Sequence, residues 1–166
     1  MACVASVIGH VDDHGYAHHI ERLMVLGNLA LTAGVDPAAM TAWMQASFVD
    51  GAEWVMLPNV IGMALFADGG MMATKPYASG GAYINKMSDH CGDCAYDPKK
   101  RLGDDACPFT AGYWQFVHRT RDLLAAQWLA QAELLRINGQ PEAAAEMLRR
   151  VQKYDPASPR ARAGLE

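Results

Sequence analysis

The chain has 166 residues, of which 51% are hydrophobic and 19% charged, and its formal net charge is -4. That length buries a core and fits one domain, or a domain with an appendage. The composition excludes a disordered chain and a disulfide-stapled miniprotein, and the charge excludes nucleic-acid binding by the chain as a whole, so any DNA contact must be local.

Read in chain order, Cys3 falls on an early turn of a helix with nothing before it to anchor that helix, as if the chain were a piece of something longer. Apolar residues then recur at helical spacing in "HHIERLMVLGNLALTAGV" (Ile20, Leu23, Met24, Leu26, Leu31), with Gly34 as the C-terminal cap. Asp36 and Pro37 read as an N-cap and first-turn proline opening a helix through "AAMTAWMQASFV". A third helical stretch runs from near Gly51 through Leu65, kinked or restarted at Pro58.

The segments 67–81 and 90–108 are irregular and carry most of the unusual residue types. Helix returns at "FTAGYWQFVHRTRDLLAAQWLAQAELLRI", stops at Asn138-Gly139 and restarts at "PEAAAEMLRRVQKY". No alternating strand pattern of useful length occurs, so the fold class is all-α.

The run "WVMLPNVIGMALFADGGMMA" is broken by Pro58, Asn59, Gly62, Asp68 and a glycine pair, which leaves it short of a membrane span. No secretory leader opens the chain. The expectation is a protein of the reducing cytoplasm with no membrane partner, whose four cysteines are metal ligands or free thiols.

From Ala125 to Ser158, the residues Trp128, Ala132, Leu135, Gly139, Ala144, Leu148 and Pro156 stand where one tetratricopeptide unit would place them, in an αα-hairpin of about 34 residues. An ordinary helical hairpin packed on the preceding domain fits equally well. We expect residues 1–124 to form one domain and 125–166 the hairpin and tail.

The stretch "CGDCAYDPKKRLGDDACPF" carries Cys91, Cys94 and Cys107. A two-residue spacer lets the first pair clamp one metal centre, and Cys107 adds a third thiolate. Zinc and an iron-sulfur cluster both usually take four protein ligands. Zinc favours closely spaced ligands, which His90 would complete, whereas a four-iron cluster tolerates a remote ligand such as Cys3. Spacing leaves the two open.

The segments "YAHHIERLMVLGN", "FVDGAEWVMLPNVIGMALFADGGMMATKPYASGGAYINKMSDHC" and "KKRLGDDACPF" resemble the C-terminal catalytic region of the bacterial iron-sulfur photolyases and cryptochromes, over about residues 1–124. The resemblance implies the C-terminal half of a helical FAD-binding domain. It also implies a 4Fe-4S cluster on Cys3, Cys91, Cys94 and Cys107, with Cys3 as the distant fourth ligand.

Members of that family use light-excited reduced flavin to inject an electron into a (6-4) pyrimidine dimer flipped out of UV-damaged DNA. The resemblance assigns proton transfer to His19 beside His18, a task suited to imidazole, which changes charge in the neutral range. Read without the resemblance, one histidine caps the helix start and the other is a hydrogen-bonded core residue.

The resemblance further places Asp50, Asn59 and Trp43 on the flavin side, and Tyr77, Tyr83 and Lys75 at the lesion pocket, where aromatic faces stack on an extruded base. Read locally, Asp50 is a helix N-cap, Asn59 satisfies backbone groups freed near Pro58, and Trp43 is a core residue. Met44 stands where an aromatic would extend an electron path from Trp43. Lys99, Lys100 and Arg101 are candidates for phosphate contact or a solvated loop face.

The family's N-terminal α/β domain and the first half of its FAD cradle have no counterpart in these residues. Two readings follow: a photolyase fragment completed by a companion chain, or a non-enzymatic helical module. In the second, an iron-sulfur or zinc site acts as a staple and the C-terminal hairpin binds a protein.

Overall fold

A computed structural model describes residues 1–73 and 75–165. Among these residues the structure is helical, with no strand and one isolated bridge between Asp97 and Ala106. It divides into two compact units, Met1–Phe116 and Val117–Glu166.

The first unit opens with α1 (Ala2–His14), closed by Gly15 in the left-handed region at φ 60°. A short α2 (His19–Glu21) starts on a capping box. His18 Nδ1 accepts from the Ile20 N–H at 3.3 Å, and Glu21 Oε2 accepts from the His18 N–H at 2.8 Å. It widens into a π-helical turn (Arg22–Gly27) and returns to α-helix in α3 (Asn28–Ala33), which Gly34 caps at φ 73° as the sequence predicts. Asp36 caps α4 (Pro37–Ser47) through a 2.9 Å bond from the Ala39 N–H, also as predicted.

The third stretch begins at α5 (Glu53–Pro58) and changes at once into a second π-helical turn (Asn59–Ala64). Pro58 brings no N–H to the ladder, so the helix loses an ordinary bond there and is free to widen. The two π-helical turns pack together, with Gly27 against Ala64 so closely that a Cβ on Gly27 would lie 2.9 Å from the Ala64 Cβ. The core between these elements holds Val7, Val11, Leu26, Leu31, Met40, Met44 and Phe48, all buried.

A short α6 (Gly81–Met87), which the sequence reading did not anticipate, interrupts the irregular region. The loop before it is pinned by Asn28, which is fully buried. Asn28 donates to Ser79 O at 2.8 Å, and its Oδ1 accepts from the Ser79 N–H at 3.1 Å. The long α7 (Pro108–Ile137) begins in this first unit.

In the second unit, the remainder of α7 pairs with α8 (Pro141–Tyr154) across a turn in which Gly139 takes φ 72°. Trp128, Ala132, Ala144 and Leu148, four of the positions expected of a hairpin core, are buried. A short α9 (Pro159–Ala163) follows Pro156 and covers the end of α8. No described helix is long and apolar enough to cross a membrane.

Candidate functional site

Two open cavities and one group of thiols collect most of the singled-out residues. The first cavity, about 260 Å³, has a floor of Met44, Met56, Val60 and Ala64 and a rim of His19, Asp50 and Asn59. Three residues from three elements therefore meet at one mouth, with Met44 beneath them and buried.

Arg22 organises that mouth. Its guanidinium makes a two-point pair with Asp50, at 2.9 and 3.0 Å, while its Nε donates to Ala17 O at 2.7 Å. The same group lies 4.1 Å over the Phe48 ring and 4.8 Å over the Tyr16 ring. A planar cation held by a carboxylate fork and two aromatic faces has little freedom left. Asp50 is thus neither a helix cap nor a free carboxylate, because Ala52 is the N-cap of α5. Neither Arg22 nor Tyr16 was singled out from the sequence. The available signal was a charged residue in a run otherwise made of Leu23, Met24, Val25 and Leu26.

Asn59 donates its amide to Val55 O at 2.7 Å, so it does satisfy a backbone carbonyl beside Pro58 while its side chain stays on the rim. Trp43 is partly exposed and meets Phe48 edge-on, with ring centroids 6.0 Å apart.

The second cavity, about 350 Å³, is lined by His18, Tyr83, Glu21, Met24, Met87 and His90, among others. The paired histidines therefore serve different cavities, although their rings lie only 5.2 Å apart. His18 caps its helix, as the local reading allowed. Its Nδ1 acts as an acceptor, which assigns the ring proton of the neutral form to Nε2. Tyr77 is half-buried and Lys75 exposed, and the lining of neither cavity includes them.

The thiols come from both ends of the first unit. Cys3 on α1 and Cys107, at the N-cap position of α7, are buried, while Cys91 and Cys94 are half-buried. Burial pushes the Cys3 thiol up, and the Cys107, Cys91 and Cys94 thiolates each push it further, against a lowering N–H from Val4. Burial also raises Cys91, with Cys107 and Cys94 adding to it. The Cys3 thiol thus feels the other three, and Cys91 feels Cys107 and Cys94.

Cys94 goes the other way. Burial would raise it, but N–H groups of Ala2, Tyr96 and Ala95 and the nearby N-terminal ammonium outweigh that and hold it low. The bond from Ala2 places the start of α1 directly against the Cys-x-x-Cys turn. Among the described residues, no group of three or more Cys, His, Asp or Glu side chains is placed to hold a metal ion.

Thr110 ties this corner together. Its Oγ1 accepts from the Gly81 N–H at 3.0 Å and donates to Pro98 O at 3.1 Å. The basic trio is largely spoken for. Lys100 pairs with Asp105, Arg101 stacks 5.0 Å over Trp114, and Asp89, Asp93, Asp97, Asp104 and Asp105 outnumber the three cations across the loop. With five aspartates around three cations, the loop offers no concentrated positive face.

Fold and site thus define a helical module with a cation-braced apolar cavity and four buried or half-buried thiols. Over most of its length this chain is similar to part of a photolyase. It is 51% identical over 154 residues to the (6-4) photolyase of Agrobacterium fabrum, covering 87% of this chain and 30% of that protein. The chain therefore spans under a third of that relative's length. It is also 39% identical over 66 residues to the uncharacterized protein R855 of Acanthamoeba polyphaga mimivirus, covering 40% of this chain and 54% of that one. No family model matches the sequence. The likeness to a C-terminal photolyase region, read from the motifs, stands.

Proposed function

We propose that the chain forms the flavin-facing and iron-sulfur part of a (6-4) photolyase. The observation that carries this reading is the single cavity at which His19, Asp50 and Asn59 meet, since motif likeness had selected these residues from three separate elements.

The cavity fits one edge of an isoalloxazine ring. Its floor is apolar, and its rim offers an amide and a braced ion pair, the few polar partners by which a protein tunes such a ring. FAD, when bound, supplies light-driven one-electron transfer to the lesion. Arg22 fixes the Asp50 carboxylate at the rim, where it can accept from a ring N–H. Met44, Met56 and Val60 exclude water from the buried edge. His18, locked by its cap, keeps its proton at Nε2 and sets the start of α2, while the exposed His19 imidazole gives a proton to the lesion and recovers it. The remaining contacts to the dinucleotide come from photolyase-like segments outside these 166 residues, as a companion chain would provide.

Cys3, Cys91, Cys94 and Cys107 would hold a 4Fe-4S cluster. Motif likeness supports this assignment, since a remote cysteine, a Cys-x-x-Cys pair and a Cys-Pro together give the four thiolates that such a cluster usually takes. DNA bearing a UV lesion is the proposed substrate.

The module reading, without catalysis, draws on the modest size of the cavity, which accommodates only an edge of the cofactor. Anaerobic purification followed by the absorption spectrum and by iron, sulfide, zinc and flavin analysis separates the two. Iron and sulfide lost on Cys3→Ser, together with flavin retained on reconstitution and released by Asp50→Ala, support the photolyase reading. Zinc in place of iron, or iron indifferent to Cys3, overturns the cluster. A cluster with no flavin affinity leaves the module reading.

A further inference from the structure

The second unit holds a cleft of about 690 Å³, larger than the cavities of about 260 and 350 Å³ in the first unit. Residues of α7, α8 and α9 all line it. Its floor is the buried cluster Ala132, Ala144 and Leu148. Its walls carry Ala126, Ala130 and Ala145, whose methyl groups are too small to fill the space between the helices. At the edge Gly164 already packs on Leu148, where a Cβ would lie 2.7 Å from Cδ1, so α9 can come no closer to α8.

Apolar walls open to water are unfavourable. A concave site of several hundred Å³, mostly apolar with a few polar groups, has the make-up of a small-molecule site. From Ala126 to Arg136 the lining follows α7 for about 15 Å, over which a helix about 10 Å across would sweep roughly 1,200 Å³. The cleft holds less than that, which favours a slimmer occupant such as an extended alkyl chain.

Charge narrows the choice further. Three charged residues line the cleft, Glu133 and Arg136 on α7 and Arg160 on α9. The first two neutralise each other, Arg136 Nη2 donating to Glu133 Oε1 at 3.1 Å. Among the described residues the Arg160 guanidinium has no hydrogen-bond or ion-pair partner, which leaves one uncompensated positive charge. A guanidinium forks onto a carboxylate through two parallel bonds. A single such charge matches a monoanion, whereas a phosphate monoester would bring about -1.5 to -2.

We propose that the cleft between α7, α8 and α9 binds an amphiphilic carboxylate, with its apolar body on the alanine walls and its head group on Arg160.

Calorimetry of the whole chain with dodecanoate, dodecanol, dodecyl phosphate and dodecyltrimethylammonium, each below its micelle concentration, tests this, because only the head group changes. Dodecanoate should saturate a single site about fivefold more tightly than dodecanol, with the phosphate no tighter than the carboxylate and the ammonium weakest. Arg160→Gln should bring dodecanoate to the dodecanol level and leave dodecanol unchanged. Ala145→Trp places an indole in the cleft and should weaken dodecanoate and dodecanol alike, by roughly tenfold or more, with helicity kept by circular dichroism. If that variant loses helicity, Arg160→Gln alone decides. Dodecanoate that does not saturate, equal affinity for all four head groups, tighter binding of the phosphate, or an Arg160→Gln chain that still prefers dodecanoate overturns the proposal.

Discussion

Replacing Gly81 by Ala separates a working thiol cluster from four cysteines that merely lie near one another. A Cβ at position 81 would stand 2.7 Å from Cys107 Sγ, 3.1 Å from Cys107 Cβ and 3.1 Å from Pro98 Cα. Carbon and sulfur rest no closer than about 3.7 Å, so the sulfur must retreat by about 1 Å. The backbone of Cys107 cannot take up that shift easily. Its N–H donates to Asp97 O at 3.2 Å, and its carbonyl accepts from the Thr110 and Ala111 N–H groups at 2.9 and 3.2 Å. Pro98 on the other side is held by Thr110.

Rotation of the Cys107 side chain remains, and it turns the thiol away from Cys3 and Cys91. Metal–thiolate distances hold within about 0.2 Å, so a 1 Å displacement is far outside tolerance, whereas overpacking of this kind costs the fold only about 1–3 kcal/mol. Gly80 is the internal control, since a Cβ there meets Thr110 Oγ1 at an ordinary 3.4 Å. After anaerobic reconstitution, iron and sulfide per chain should match wild type in Gly80→Ala and fall to the Cys3→Ser level in Gly81→Ala, with helicity kept in both. Full iron in Gly81→Ala, or equal loss in both glycine variants, would refute the reasoning.

Three further outcomes follow from the same geometry. Asp50→Asn removes the charge from a pair whose arginine side chain is 15% exposed and whose carboxylate is 52% exposed, so solvent screening limits the loss to about 1 kcal/mol. A urea midpoint equal to wild type would show that Arg22 is held by Tyr16, Phe48 and Ala17 alone. Gly27→Ala drives a methyl group to 2.9 Å from Ala64 and should cost about 1–3 kcal/mol while distorting the cavity wall, read as a lower urea midpoint together with weaker flavin retention. The N–H groups of Met72 and Gly70, each 2.9 Å from Asp68, hold its carboxyl below the usual 3.8. A depressed carboxyl contributes stability that is present above its unfolded value and lost as pH falls through its folded one. The protection of the Gly70 and Met72 amides, taken as the ratio of intrinsic to observed exchange rate at each pH, should therefore hold down to about pH 4 and fall below it, and Asp68→Asn should abolish that dependence.

What the sequence made legible and what it hid divide along the range of the interactions involved. Asp36, Gly34 and Gly139 act within a turn of their own positions, so capping rules placed three helix ends correctly. The π-helical turns at 22–27 and 59–64 were hidden, because a widened turn keeps nearly the same apolar spacing as a regular one, and only Pro58 gave a local cause for either. The cysteines could be singled out because few residue types carry metal-ligating or redox chemistry at all, whereas Arg22 could not, because its partner lies 28 positions away and only packing of α4 and α5 brings it there. The same holds for His18. Its capping role could be read from Glu21 three places on, but its division from His19 between two cavities depends on Tyr83 and Asp50, which the chain delivers from opposite sides. A motif therefore names the residues that chemistry restricts, and the braces that hold them, drawn from any residue able to fill a space or carry a charge, become visible only when the helices are packed.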